Sequence, residues 1–397
     1  MEQILIDFIK KNDGGDTSAL LLGKNKYPQI DIHTAVRCIE GRKTIKEKVP
    51  QWYLCPSLLY PSHLPLEQCS SQNTALHKQK YIPQGAKVAD FTGGLGIDSY
   101  FISCKASSLD YFERNSELVD IAAHNFQELG QNNIRTFCNE TTPEFLSEIE
   151  KDKYDVVYLD PARRGKKGER VFSLEDCEPD LTKIKELLLE IAPTVVVKLS
   201  PMADIATLLE QLPQAKIIDI ISVNNECKEL LVIMERGFSG TTSIIATDLR
   251  YDISFTFTRE QEKISAVTFA DPQTITGYIY EPNSSILKGG AFKYPSQCFG
   301  VKKLSRDTHF YISYAPVENF PGKEGEILEV IPFSKKNIRT VVEKYPECSI
   351  MARNFPVKTE ELKKMVKCSE SKEIKGLFTT LSDKSKVIII YRRLFKE

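Results

Sequence analysis

A glycine-rich turn is the segment of this sequence best suited to holding a ligand. Residues 88–98 (VADFTGGLGID) comprise a short apolar run, the turn, and the start of an amphipathic segment. Glycines allow a sharp bend and let a ligand approach the backbone closely. The first amides of the following helix then point at that ligand. The pattern predicts a nucleotide-type pocket lined by Asp90, Thr92, Gly93, Gly94, Gly96 and Asp98.

The features that the turn lacks narrow the choice of nucleotide. A dinucleotide-binding turn has a third glycine where this chain has Ser99, and a P-loop has a Gly-Lys-Ser/Thr sequence that does not occur here. The turn instead resembles motif I of the class I S-adenosylmethionine-dependent methyltransferases. That resemblance implies S-adenosylmethionine as the cofactor. The alternative is a tight structural loop that binds nothing.

Strand and helix patterns alternate from Lys87 to Arg236, which predicts an α/β fold with a mainly parallel sheet covered on both faces. Only six residues join the last two predicted strands, Lys216–Ser222 and Glu229–Glu235. A helical crossover needs more, so the final strand must run antiparallel. A seven-stranded sheet with an antiparallel last strand is the Rossmann-like architecture of class I methyltransferases.

Polar residues follow the second and third predicted strands. Glu113 lies 23 residues after Asp90 and could accept hydrogen bonds from both ribose hydroxyls of an adenosyl group, or it could cap the next helix. Asn139 and Glu140 occupy the place where the resemblance implies a contact with the adenine amino group. They fit a helix cap before Pro143 equally well. Asp90 either holds the methionine end of the donor or fixes the glycine turn, and both roles are compatible.

The fourth predicted strand ends in Asp160, followed by Pro, Ala and Arg163. Methyltransferases of amino groups in bases often have an aromatic residue where Arg163 stands, to stack on an extruded base. RNA 5-methyluridine methyltransferases have a closer Asp-Pro-Pro-Arg sequence but need a cysteine nucleophile, and Leu199 fills that place here. We therefore expect Asp160 and Arg163 to act in direct methyl transfer without a covalent cysteine intermediate. Lys198 is a further candidate, although the sequence favours a lysine that extends into solvent.

A basic loop follows Asp160. Its Arg164, Lys166 and Lys167 are expected to contact phosphate groups of a substrate, because guanidinium groups match phosphate oxygens and lysines add positive charge. An ordinary solvated loop is the alternative.

Composition indicates a multidomain protein. The chain has 397 residues, of which 41% are hydrophobic, and a net charge of −1. Residues 321–397 contain 17 Lys and Arg against 11 Asp and Glu, a net charge of +6, so the remainder carries −7. A basic module attached to an acidic body favours a polyanionic substrate, with a lysine-rich solvated surface as an equal alternative.

The ten cysteines and five histidines are dispersed, without a Cys-x-x-Cys pair. This distribution predicts reduced thiols, a cytoplasmic protein and no metal site. The amino terminus does not resemble a signal peptide, and no apolar run approaches the ~18–20 residues of a membrane span, so no membrane association is expected.

Motifs along nearly the whole chain support one family. They are DFTGGLGID at 90–98, DPARR at 160–164, KLSPM at 198–202, YEPN at 280–283 and RNFP at 353–356. Together they resemble a bacterial family of class I methyltransferases with a small ferredoxin-like domain and a C-terminal THUMP-like domain. The expected organisation is an N-terminal helical region (1–85), a methyltransferase domain (86–275), and small α+β domains that are ferredoxin-like (276–325) and THUMP-like (326–397).

The resemblance implies an RNA substrate, either tRNA or rRNA, because THUMP domains present RNA to an attached modifying enzyme. Two alternatives remain at this stage. One is a methyltransferase of a small molecule or protein, and the other is a catalytically silent module that binds the donor and RNA.

Overall fold

The computed structural model describes residues 1–61, 66, 68–163 and 173–395, with only the backbone of Arg163. It divides into two compact units. The first comprises residues 1–218 and 229–242, and the second comprises residues 219–228 and 243–397.

The first unit begins with helices, as the sequence pattern predicts. They span Gln3–Lys11, Thr17–Leu22, Ile32–Lys48, Pro50–Tyr53 and Gln72–Lys78, with short 3-10 turns at Lys24–Lys26 and Gln79–Tyr81. Polar residues begin three of them, because a side-chain oxygen can accept from the otherwise unpaired first amides of a helix. These caps are Asp16, Asp31 and Ser71.

A mainly parallel sheet forms the centre of the first unit. Its strands are β1 (Lys87–Asp90), β2 (Ser108–Glu113), β3 (Ile134–Cys138), β4 (Val156–Leu159), β7 (Thr194–Leu199), β8 (Ala215–Val223) and β9 (Glu226–Glu235). Of the last two strands, β8 belongs to this unit up to residue 218 and β9 from residue 229. Two short strands, β5 (Ala162–Arg163) and β6 (Cys177–Glu178), form a separate pair. The order is β8-β9-β7-β4-β1-β2-β3. The strands β1 to β4 and β7 run parallel, and β9 runs antiparallel to β7. The predicted fold class is therefore confirmed.

Helices cover this sheet, and most residues of its central strands β1, β4 and β7 are buried. The helices span Ile97–Ser103, Ser116–Glu128, Pro143–Ser147, Leu181–Ile191 and Ile205–Gln211, with a 3-10 turn at Leu174–Asp176. Every residue of β4 is buried, as expected for a central parallel strand covered on both faces. The parallel strands β1, β2, β3, β4 and β7 have their carboxyl ends at the same edge of the sheet. Ligands of open α/β sheets bind at that edge.

The hairpin between β8 and β9 is tighter than the six-residue connection that the sequence suggested. Its turn consists of Asn224 and Asn225, whose φ angles are +53° and +63°. A two-residue hairpin turn of type I′ requires left-handed backbone at both positions, and asparagine tolerates that conformation better than most residues. Both strands consequently extend further than predicted, while the antiparallel direction is as expected.

The second unit contains the tip of that hairpin, with β10 (Ser243–Asp248) and β11 (Ile253–Phe257) beside it, followed by a helix at Arg259–Ile264. A separate seven-stranded sheet has the order β13-β14-β12-β15-β18-β17-β16. Its strands are β12 (Tyr278–Pro282), β13 (Lys302–Ser305), β14 (Thr308–Ser313), β15 (Gly322–Pro332), β16 (Ser349–Arg353), β17 (Ile374–Thr380) and β18 (Lys386–Leu394).

The helices of this unit also include Ser284–Gly289, Tyr294–Phe299, Lys335–Lys344 and Thr359–Val366. The predicted small C-terminal α+β regions thus share a single sheet, in which β15 pairs with both β12 and β18. Within the described ranges, no helix has the length and apolar character required to cross a membrane.

Candidate functional site

Hydrogen bonds to the Asp90 carboxylate hold the glycine turn in a fixed shape. The Asp90 carboxylate accepts from the backbone N–H of Thr92 at 2.9 Å and from the hydroxyl of Ser99 in the next helix. Gly93 N–H donates to the carbonyl of Phe112 at 2.9 Å, which fastens the turn to β2. Asp90 is 1% exposed, and burial raises its pKa to about 7 despite these hydrogen bonds. Its contacts are those of a residue that fixes the turn.

The three glycines of the turn serve different purposes. A Cβ atom at Gly93 would lie 2.0 Å from the ring of Tyr111, and one at Gly96 would lie 2.6 Å from the ring of Phe126. Those two positions therefore exclude side chains because the turn packs against the protein. At Gly94, an added Cβ would meet only the carbonyl oxygen of Thr92, at 3.9 Å. The space above Gly94 is open, so a ligand can approach the backbone there.

Glu113 lies beside that open space, at the end of β2. One carboxylate oxygen accepts from Gly94 N–H at 3.0 Å, and the other accepts from Asn115 N–H at 2.9 Å. The side chain is therefore oriented by two backbone amides. Each oxygen retains capacity for a further hydrogen bond, since a carboxylate oxygen has two lone pairs.

Asn139 and Glu140 follow β3 and are both exposed. The backbone N–H of Asn139 donates to the carbonyl of Glu113 at 3.1 Å, which brings these two strand ends together. The Glu140 carboxylate lies 3.7 Å from Arg114, which also pairs with Glu178 at 2.9 Å. The predicted contact of Asn139 and Glu140 with an adenine remains a prediction.

Asp160 follows β4 and is tied to two neighbouring strands. Its carboxylate lies 2.5 Å from the ammonium group of Lys198 in β7, and its backbone N–H donates to the hydroxyl of Thr92. The Asp160 side chain is 35% exposed, whereas that of Lys198 is only 12% exposed. The expectation that Lys198 extends into solvent was therefore wrong, because the ion pair holds it in the site.

The substrate-contacting residues predicted from the basic loop lie largely outside the described residues. This applies to Arg164, Lys166 and Lys167, and to the side chain of Arg163. The backbone of Arg163 belongs to β5 and pairs with Cys177 of β6. Leu199, at the place of the missing cysteine nucleophile, is buried at the end of β7.

A buried lysine beneath the site was not predicted from the sequence. Lys78 is fully buried, and its ammonium group lies 3.0 Å from Asp98 and 2.8 Å from Glu229 in β9. It also donates to the hydroxyl of Ser70 at 2.9 Å. The group thereby joins the segment before β1, the helix after the glycine turn and a strand of the sheet.

Asp98 accepts three hydrogen bonds in this cluster. It accepts hydrogen bonds from Ser70 at 2.7 Å and from the hydroxyl of Tyr158 in β4 at 2.9 Å, besides that from Lys78. Burial alone would raise its pKa, but the ammonium groups of Lys78 and Lys198 and these hydrogen bonds lower the pKa to about 2. Asp98 is thus an ionised part of the support beneath the turn.

The two lysines and three acidic groups influence one another through the low-dielectric interior. Burial would lower the pKa of Lys198, but the carboxylates of Asp160, Asp98 and Glu229 outweigh it and raise that pKa well above its usual value. Lys198 therefore remains an ammonium group at neutral pH. Within the described part of the chain, no His, Cys, Asp and Glu side chains cluster in a way that could hold a metal ion.

The comparisons with known proteins define the family. A family model described as a ferredoxin-like domain matches residues 278–321, and one described as THUMP domain-like matches residues 326–393. The crystal structure of a candidate methyltransferase from Porphyromonas gingivalis W83 is 33% identical in sequence, with a TM-score of 0.89 over 99% of this chain and 98% of that one. The chain therefore belongs to the family of that protein, with a class I methyltransferase fold and ferredoxin-like and THUMP-like domains.

Other solved structures match only part of the chain. A candidate rRNA methylase from Clostridium thermocellum is 14% identical, covering 41% of this chain and 94% of its own, with a TM-score of 0.31. A tRNA (m1A58) methyltransferase from Aquifex aeolicus is 13% identical, covering 42% of this chain and 70% of its own, also with a TM-score of 0.31. Structures this distant do not indicate a substrate for this chain. No curated protein matches the chain significantly.

Replacing Lys78 by methionine should destabilise the protein by about 3–5 kcal/mol, since Asp98 and Glu229 would remain buried without their partner. Urea unfolding of the full chain measures the change. The exposed neighbour Lys80 provides a control, and Lys80→Met should stay within about 0.5 kcal/mol of the native protein. Adding Glu229→Gln to Lys78→Met should recover part of the loss. Equal stability of the Lys78→Met and Lys80→Met variants would show that the buried cluster is not a structural support.

Proposed function

We propose that this protein is an S-adenosylmethionine-dependent methyltransferase that acts on RNA, either tRNA or rRNA, in the cytoplasm. The observation that carries the donor assignment is the open backbone at Gly94 beside the amide-held carboxylate of Glu113. Glycine turns of this kind admit a nucleoside close to the backbone, and a carboxylate at the end of the second strand suits a ribose. Ten free cysteines support a reducing compartment.

The residues present fit this donor. Glu113 would accept from the ribose hydroxyls, and the exposed Asn139 and Glu140 would lie towards the adenine. The cluster under the turn has three carboxylates, of Asp98, Asp160 and Glu229, against two ammonium groups. Excess negative charge favours a cationic ligand. When bound, S-adenosylmethionine supplies an electrophilic methyl group on a sulfonium.

Asp160 is the residue proposed to orient the acceptor. Its partly exposed carboxylate can accept a hydrogen bond from an amine or hydroxyl and can take up a proton. Lys198 and Thr92 fix its position, so little reorganisation is needed when a substrate arrives. Leu199 cannot act as a nucleophile, which supports direct transfer without a covalent intermediate.

The RNA assignment rests on charge and family. The C-terminal region from residue 321 carries a net charge of +6, and the THUMP domain-like match covers most of it. A cationic surface of this kind releases counterions when it binds phosphates, so RNA binding should weaken as salt rises. The proposed catalytic role of Arg163 and the phosphate contacts of Arg164, Lys166 and Lys167 belong to the same proposal.

Glu113→Ala should weaken binding of S-adenosylmethionine by at least about 1 kcal/mol, because one or two hydrogen bonds to a charged acceptor are lost. Calorimetric titration measures this change. Glu117→Ala, in the exposed first turn of the next helix, is the control and should leave the affinity unchanged. An unaltered affinity in Glu113→Ala would remove Glu113 from the ribose role.

The native protein should transfer a labelled methyl group from S-adenosylmethionine to bulk RNA, and ribonuclease treatment beforehand should abolish the transfer. Asp160→Ala should lose turnover while donor affinity stays within a few-fold, because Asp160 orients the acceptor rather than the donor. Asp160→Asn keeps the size of the side chain and should also lose most turnover. Scintillation counting of precipitated RNA measures the product.

The exposed Asp120 offers a matched control for these variants, and Asp120→Ala should retain native turnover. Transfer that resists ribonuclease would indicate a protein or small-molecule acceptor instead of RNA. Full turnover in Asp160→Ala would mean that the segment after β4 is only a structural turn. Absence of any transfer together with measured donor binding would favour a catalytically silent module.

A further inference from the structure

The second unit contains a cavity that the proposed methyl transfer does not use. It has a volume of about 120 Å³, is open to solvent, and lies on one face of the seven-stranded sheet. Phe310 and Met351 contribute apolar wall, and the side chains of Lys323, Lys375 and Arg393 converge on it. An apolar wall with a few convergent polar groups is the usual chemical make-up of a ligand site.

Strand pairing explains why these cations meet. Lys375 of β17 pairs with Tyr391 of β18, and Arg393 follows two residues later on the same strand. Paired residues and residues two apart point to the same side of a sheet. Lys375, Tyr391 and Arg393 therefore share the face that bears the cavity, whereas Arg392 points to the other face.

Carboxylates near the cavity are already engaged. Glu281 is almost fully buried and lies 3.1 Å from Lys323 and 3.6 Å from Arg353. Glu324, which also lines the cavity, likewise has an interaction partner and is not free. The charged residues that line the cavity comprise three cations, Lys323, Lys375 and Arg393, and two carboxylates, Glu281 and Glu324. Positive charge is therefore in excess.

Two of the cations retain unused hydrogen-bonding capacity. The Nε–H group of Arg393 is buried and donates to no group in the described part of the chain. Lys375 donates to the carbonyl of Ser371 at 2.7 Å, which is one of three bonds that an ammonium group can make. Burial and the positive charge of Arg393 lower the pKa of Lys375. A bound anion would relieve this repulsion and satisfy the buried donor.

We infer that this cavity binds a phosphate group, held by Arg393, Lys375 and Lys323 against the apolar wall at Met351. A terminal phosphate offers three anionic oxygens to the three cationic donors, and a phosphodiester offers two anionic and two ester oxygens, whereas a carboxylate has only two oxygens. The phosphate belongs either to an RNA chain or to a small phosphorylated compound, since both present the same chemistry. All residues of the site lie in the second unit, so the inference is independent of methyl transfer in the first.

Titration of the full chain with inorganic phosphate, followed by ³¹P NMR at constant low ionic strength, tests the site directly. The native protein should bind phosphate saturably, and Lys375→Met and Arg393→Met should each weaken binding about tenfold or more, as expected for loss of a charge-assisted hydrogen bond. Lys372→Met and Arg392→Met are matched controls. They remove the same charge from nearby exposed positions and should leave the affinity within twofold of native.

Thermal unfolding checks that each variant is folded, and Lys375→Met should not lower the Tm because it removes a repulsion. The inference is overturned if phosphate does not bind saturably, or if the cavity variants bind it as tightly as the controls do. A native protein that binds phosphate but transfers no methyl group would contradict the proposed function alone.

RNA oligonucleotides of one sequence, with a 5′-phosphate or a 5′-hydroxyl, distinguish the sources. A preference for the 5′-phosphate that Arg393→Met removes identifies a terminal phosphate. Equal binding of both, weakened more by Arg393→Met than by Arg392→Met, identifies an internal phosphate of the RNA backbone. A small phosphorylated compound is the ligand if Arg393→Met and Arg392→Met affect the binding of both oligonucleotides equally while inorganic phosphate still binds in the cavity.

Discussion

The ion pairs of the buried Lys78 support the whole candidate site. A fully buried ammonium group is costly unless it is paired and hydrogen bonded, and Lys78 has Asp98, Glu229 and Ser70 as partners. Its position is consequently determined by three separate segments of the first unit. The same contacts fix Asp98 in the helix that follows the glycine turn. The open backbone at Gly94 depends on this arrangement, because a turn that shifted would lose its alignment with Glu113.

Side-chain contacts along the edge of the sheet connect the Lys78 cluster to the proposed reactive groups. Tyr158 connects Asp98 to β4, and β4 leads directly to Asp160. Asp160 in turn is bonded to Lys198 and Thr92. Sites built on rigid elements with oriented side chains hold their geometry better than sites on free loops. The proposed donor and acceptor residues therefore form one connected framework.

Local sequence patterns were sufficient to predict the sheet and most of its edge. Alternating strands and helices imply parallel strands, and the short link before β9 implies its reversal, so the ends of the strands could be placed together. The Lys78 cluster could not be predicted, because Lys78 and Glu229 are far apart in sequence and only the tertiary fold pairs them. One available signal was Glu229 itself, an acidic residue directly before the buried run at 230–234. The same reason applies to Lys198, since its partner Asp160 follows a different strand and only the fold brings the two together.

Amide hydrogen exchange of the full chain, with and without saturating S-adenosylmethionine, tests the central claim that the glycine turn is the donor site. We predict slower exchange in the donor complex for the amides of residues 92–96 and 113–115, because these segments enclose the open space beside Gly94. Exchange in the sheet of the second unit should not change. Donor binding without slower exchange in those two segments, or with slower exchange only elsewhere, would contradict the account.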